Sequence, residues 1–171
     1  MGYRITTLKN LPRDLNCYMF LVGDYRINGT INDLFRDGFN IIADRIGADN
    51  AIIQQAEKSH IEWEIIKALH QKMEEETELA NYLSQFESRI PGLMIFWKHP
   101  TELTKEDAII HIPFQAIENV YSSSNDVLID LIDFAKKNNS NFIDKLKKKN
   151  DVIRGLSFSV NLGIFAINFE L

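Results

Sequence analysis

The residues best suited to covalent or proton chemistry are one thiol, four imidazoles and a short charged turn. Cys17 is the single cysteine among 171 residues. A cysteine nucleophile needs partial exposure and a neighbouring base. Cys17 stands instead in "NCYMF", which reads as the interior of a strand, where a free cysteine packs as a small hydrophobe. One cysteine can form neither an internal disulfide nor a zinc site built on paired thiolates. The histidines are His60, His70, His99 and His111. His60 and His70 lack the i, i+4 spacing of a helical metal site, and surface or capping roles suit them better. His111 alternates with Ile110 and Ile112, so it points away from both, toward a sheet surface or a hydrogen-bond partner. A metal centre needs several convergent donors. No motif supplies them, and neither metal nor cofactor is expected.

The most promising cluster is Asp24, Tyr25 and Arg26 in "GDYRING". It follows an apolar run directly, at the position where α/β folds set their functional loops. Its glycines are too few and wrongly spaced for a phosphate loop, and no Gly-Lys-Ser/Thr follows. An enzyme built on the 23–29 turn, hydrolase-like or other, would use Asp24 and Arg26, with Cys17 or His111 brought in by the fold. Asp33, Asp37 and Asp44 lie opposite an apolar stripe and read as a solvated helix face.

A basic tract spans 136–154, with a nucleic-acid reading centred on Lys145, Lys147, Lys148 and Lys149. No aromatics are interleaved among Lys145 to Lys149 for base stacking. The net charge of −5 and pI near 5.4 also oppose broad phosphate binding. Nucleic acid is therefore not the expected partner, whereas a basic protein surface would suit the charge. Tyr25, Trp63, Trp97, Phe165 and Phe169 are the candidate interface anchors, aromatics being frequent there; core packing is their ordinary alternative.

Positioning these residues requires one domain. The chain is 45% hydrophobic and 25% charged, ordinary for a globular protein. No run nears the roughly 18 apolar residues of a membrane span, and the first residues lack a signal-peptide pattern. The single cysteine fits a reducing compartment, so a cytoplasmic protein is expected, without a membrane role. Frequent Ile and Asn fit an AT-rich, bacterial genome.

Strand-like and helix-like segments alternate, which argues an α/β domain with three layers and a mixed sheet. "CYMFLVG" (17–23) is apolar on both faces and predicts a central strand; Tyr3 to Leu8 predicts an edge strand. One helix is predicted from Asn28 or Thr30 to Gly47, with Ile31, Leu34, Phe35, Gly38, Ile41 and Ile42 as its stripe. A short strand follows at 51–55. Ser59 and Glu62 read as a capping box opening a long helix. "IPGLMIFW" and "AIIHIPF" predict two strands joined by a polar loop. A helix capped by Asn125 or Asp126 follows, then a second from about 141. "GLSFSVNLGIFAINFEL" predicts a closing β-hairpin. The core is placed at about 16–137, with the last helix and hairpin at 141–171.

The order strand, helix, strand, helix, proline-led strand, strand, helix resembles the thioredoxin fold. "RIPGLMIF" is similar to that family's junction, where a cis-proline precedes the third strand, and "NDVLIDLIDFAKK" to its last helix. The family's Cys-x-x-Cys would fall in "GDYRING", which has no cysteine. The resemblance thus implies a degenerate thioredoxin-like fold without disulfide exchange. The expected function is a non-enzymatic protein-binding module, an adaptor, regulator or immunity-type protein, with a protein partner or a second copy of itself.

Overall fold

The computed structural model describes residues 1–23, 29–56, 61–70, 91–104, 107–137, 140–150 and 159–161. Its frame is a mixed sheet of six strands among the described residues: β1 (Gly2–Ile5), β2 (Cys17–Val22), β3 (Asn50–Gln55), β4 (Gly92–Phe96), β5 (Ala108–Pro113) and β6 (Ser159–Asn161). Their spatial order is β1-β3-β2-β4-β5-β6. β3 pairs in parallel with both β1 and β2, while β2–β4, β4–β5 and β5–β6 are antiparallel. All residues of β2 and β4 are buried. That is why their sequences are apolar throughout rather than alternating.

Alternation along each strand divides the core in two. Cys17, Met19, Leu21, Leu93, Ile95 and Ile112 join one cluster; Tyr18, Phe20, Val22, Met94, Phe96 and Ile109 join the other. The first face is covered by α1 (Thr30–Asp37), α2 (Phe39–Arg45), α4 (Phe114–Glu118), α5 (Ser124–Lys137) and α6 (Asn141–Asn150). They press Ile31, Phe35, Ile42, Ile117, Leu131 and Phe142 onto it. The second face meets Ile61 and Ile65 of α3 (Ile61–His70), together with Leu8, Leu11, Leu15 and Leu103 from two connecting segments. Those segments contain the 3-10 turns Leu8–Asn10 and Pro100–Glu102. The result is a three-layer α/β domain, as the sequence pattern predicts.

Several boundaries differ from expectation for identifiable reasons. The helix expected from Asn28 or Thr30 to Gly47 is two helices, broken at Gly38, whose φ of −88° and ψ of 0° leave the helical region. A Cβ at Gly38 would lie 2.5 Å from the Leu34 carbonyl oxygen, so the break has no room for a side chain. Gly29 holds the N-cap position of α1 without a side-chain bond, in place of Asn28 or Thr30. Gly47, at φ +92°, does end the second helix in the left-handed region open to glycine. The strand expected to reach Phe114 stops at Pro113, which lacks an N–H and becomes the N-cap of α4. α5 opens at Ser124, ahead of Asn125 and Asp126. Of the terminal hairpin, Ser159–Asn161 pairs with β5; its second arm, with Phe165 and Phe169, lies outside the described residues. So do Ser59 of the expected capping box and Ile90, hence the Ile90–Pro91 bond. Among the described residues, no helix is long and apolar enough to cross a membrane.

Candidate functional site

The turn after β2 leaves the sheet between two anchored stems. At its start, the Gly23 N–H donates to Glu62 Oε1 of α3 at 2.5 Å. At its end, the Ile31 N–H donates to Glu118 Oε1 of α4 at 3.2 Å. Glu118 therefore supplies, from another element, the acceptor that a capping side chain at position 29 would give, and its negative charge suits the positive end of the α1 dipole. Asp33 N–H closes the first helical turn onto the Gly29 carbonyl at 2.8 Å. On the neighbouring strand, Gly92 sits in register with Val22, and Phe114 N–H donates to the Pro91 carbonyl at 2.9 Å. Gly23, Glu62, Pro91 and Glu118 thus frame one end of the sheet. Both carboxylates accept from main-chain amides, so their part is to hold the turn's stems. Asp24, Tyr25 and Arg26 belong to residues 24–28, outside the described residues.

The other catalytic candidates are dispersed. Cys17 opens β2, about 20 Å of extended strand from Gly23. It is 4% exposed, and burial pushes its thiol up to about 12, the opposite of activation. Its side chain faces the first cluster. His111 is in register with Met94, on the second face, and is 1% exposed. Cys17 and His111 are therefore separated by the sheet itself and cannot act as nucleophile and base. The surface position considered for His111 is also corrected: α/β layering buries both faces of β5, so a polar residue pointing away from Ile110 and Ile112 still points inward. Among the described residues no group of three or more His, Cys, Asp or Glu could hold a metal ion.

The aromatic candidates behave differently from one another. Trp63 is 68% exposed on α3, whereas Trp97 is half-buried edge-on to Phe134, with ring centroids 6.2 Å apart. Trp97 and Cys17 line a 590 Å³ open cavity with Asn50 and Lys136, at the sheet end opposite Gly23. The basic tract is divided. Lys145 Nζ pairs with Asp130 at 2.5 Å and Lys137 Nζ with Asp133 at 2.9 Å. Because α6 folds back along α5, Lys136 and Lys137 lie toward one end of the helical pair and the exposed Lys147 and Lys148 toward the other. The Lys149 side chain is outside the described residues. Asp130 also accepts from the Tyr121 hydroxyl at 2.7 Å, joining α5 to the chain after α4. Burial, then that carboxylate, raises the Tyr121 phenol well above its ordinary value.

Sequence reasoning missed two acceptors and one imidazole. Glu118 drew no attention because its partner lies 87 positions away. Glu62 reads from the sequence as half of a local capping box, yet its carboxylate reaches Gly23. His99 is 1% exposed and bonded on both ring nitrogens. Only the Pro at 100, which marks a turn, hinted that His99 would be fixed in place. No protein-family model, no curated protein and no solved structure matches this chain.

Proposed function

We propose that the chain is a thioredoxin-like domain without the Cys-x-x-Cys pair, working as a protein-binding module of the adaptor, regulator or immunity type. The observation that carries this reading is the frame at the Gly23 end of the sheet. β2 and β3 pair in parallel across a helical connection, and the β4–β5 hairpin is led by Pro91 and followed by helices. That arrangement supports the resemblance drawn from element order. The turn carrying Asp24, Tyr25 and Arg26 is tied at both stems by Glu62 and Glu118, and a tied turn loses less entropy on docking than a free one. A partner surface with basic groups suits the net charge of −5. The buried thiol of Cys17 accords with a cytoplasmic setting.

The test is affinity capture from the host's lysate at low and high salt, comparing the wild type with Tyr25→Ala/Arg26→Ala. A stoichiometric protein held through high salt by the wild type, and lost by the variant with unchanged circular dichroism, is the expected result. Equal retention by both forms would remove the turn from the interface. Capture of nucleic acid alone, released by salt, would overturn the reading. Light scattering on the eluted chain separates a second copy from a different partner.

A further inference from the structure

The connection between β1 and β2 contains one 3-10 turn, in which the Leu11 N–H donates to the Leu8 carbonyl at 3.1 Å, and is otherwise held by side chains that bond its main chain. Both polar groups of the Leu8 peptide unit are met by side chains from elsewhere. The Leu8 N–H donates to Glu64 Oε2 of α3 at 2.7 Å, and the same carboxylate oxygen accepts from Thr7 Oγ1 at 2.9 Å. The Leu8 carbonyl lies 3.2 Å from His99 Nε2. The tautomer of His99 follows from its other side: Nδ1 accepts from the Thr101 N–H at 3.3 Å and faces Thr101 Oγ1 at 2.7 Å. Nδ1 is therefore the bare nitrogen, and Nε2 carries the proton donated to Leu8. Tyr18 closes the segment's far end, donating to the Pro12 carbonyl and accepting from the Leu15 N–H. Its ring meets His99 edge-on at 5.8 Å.

We infer that the segment from Thr7 to Leu15 is an acid-released strap, with His99 as its catch. Protonating Nδ1 turns the acceptor for Thr101 into a donor and places a charge where 1% of the residue is exposed. The charged and titratable groups that face it are few. The bond to the Leu8 carbonyl favours the imidazolium; Arg13, in the strap, opposes it; Glu102, in the turn after His99, favours it and also faces the Tyr18 phenol, whose ring meets His99 edge-on. Burial outweighs them and lowers His99 below its ordinary value. The open strap therefore takes up a proton more readily than the closed one, and acid favours opening. Opening withdraws Leu8, Leu11 and Leu15 from the second core cluster and bares apolar surface around Tyr18 and Phe96. This device is independent of the turn at Gly23.

Hydrogen exchange measured by mass spectrometry over residues 7–15, corrected for intrinsic rates, tests the strap. Between about pH 7.5 and about 5.5, above the ordinary carboxylate range, the opening equilibrium is expected to rise by up to about tenfold per pH unit once pH falls below the ordinary imidazole value. Far-UV circular dichroism stays constant, and a hydrophobic dye binds progressively. His99→Gln removes the titration and should flatten the profile whatever its starting level. A pH-independent wild type, or an equal slope in His99→Gln, overturns the inference. If that variant fails to fold, the His99 ring resonances of the wild type decide: a midpoint below 6.5 supports the strap and one at or above it sinks it.

Discussion

On one face of the sheet, five helices press Phe35, Phe142, Leu131 and their neighbours into a thick apolar layer. On the other, among the described residues, a single helix and two 3-10 turns cover Tyr18, Phe20 and Phe96. In this second layer side chains bond the main chain: Glu62 to Gly23, Glu64 to Leu8 and His99 to Leu8 over long range, Tyr18 to Pro12 and Leu15 nearby. A helix satisfies its own backbone and needs only an apolar stripe to dock. An irregular segment that is buried must borrow donors and acceptors, because an unmet amide costs more than a well-made bond contributes. Both faces use hydrophobes; the first has Glu118 to Ile31 as a distant bond to main chain, and the second relies on more such bonds from titratable groups.

Substitutions can break this contrast or sharpen it. The largest effect is expected at Phe35, fully buried and stacked on Phe114 at 4.9 Å between centroids. Phe35→Ala should cost about 3–5 kcal/mol in denaturant titration, and a loss under about 1 kcal/mol would mean the thick layer collapses onto the cavity with ease. Next comes Glu64→Ala, which strips the Leu8 N–H of its acceptor. A loss of about 1–3 kcal/mol is expected, with hydrogen-exchange protection falling mainly at residues 7–15. Uniform loss across the sheet would deny the thin layer its local character.

The third effect is pH-dependent. His99 has a lower value folded than unfolded, so the unfolded chain binds the proton first. The stability due to neutral His99 is complete above 6.5 and drains as pH falls from there toward the lowered folded value. Guanidinium midpoints measured across that window should fall in the wild type and stay level in His99→Gln. The smallest effect belongs to Trp63→Ala. This exposed side chain should change stability by no more than about 0.5 kcal/mol, so a fall in partner capture by that variant would assign Trp63 to an interface.

The frame was legible because strands buried on both faces are written as unbroken apolar runs. "CYMFLV" and "GLMIF" could hardly be anything else, and Gly47 marked its helix end by conformational need. The break at Gly38 was hidden because glycine sits in an apolar stripe without disturbing its period. What separates the halves is the turn of the Gly38 backbone to a φ of −88° and a ψ of 0°, which no periodicity encodes. The site was less legible still. Asp24, Tyr25 and Arg26 could be found by their place after a strand, but the carboxylates tying their turn come from positions 62 and 118. A glutamate on a helix reads as solvated until the fold brings an amide to it. Cys17 and His111 are separate candidates in the sequence, and only strand parity, followed through the β2–β4 and β4–β5 registers, puts them on opposite faces.

The Leu8 peptide carries one more consequence, for the order in which the molecule assembles. Its two side-chain partners lie 56 and 91 positions along the chain. Its local bonds, the 3-10 turn at Leu8–Asn10 and those of Tyr18, tie the segment only to itself and to β2; its anchoring to the rest waits until α3 has docked and the β4–β5 hairpin has formed. Loop-closure entropy sets that sequence: distant contacts are rewarded only after the intervening chain is fixed. The strap joins the native structure late, and substitutions in it should quicken unfolding while leaving the folding rate nearly unchanged.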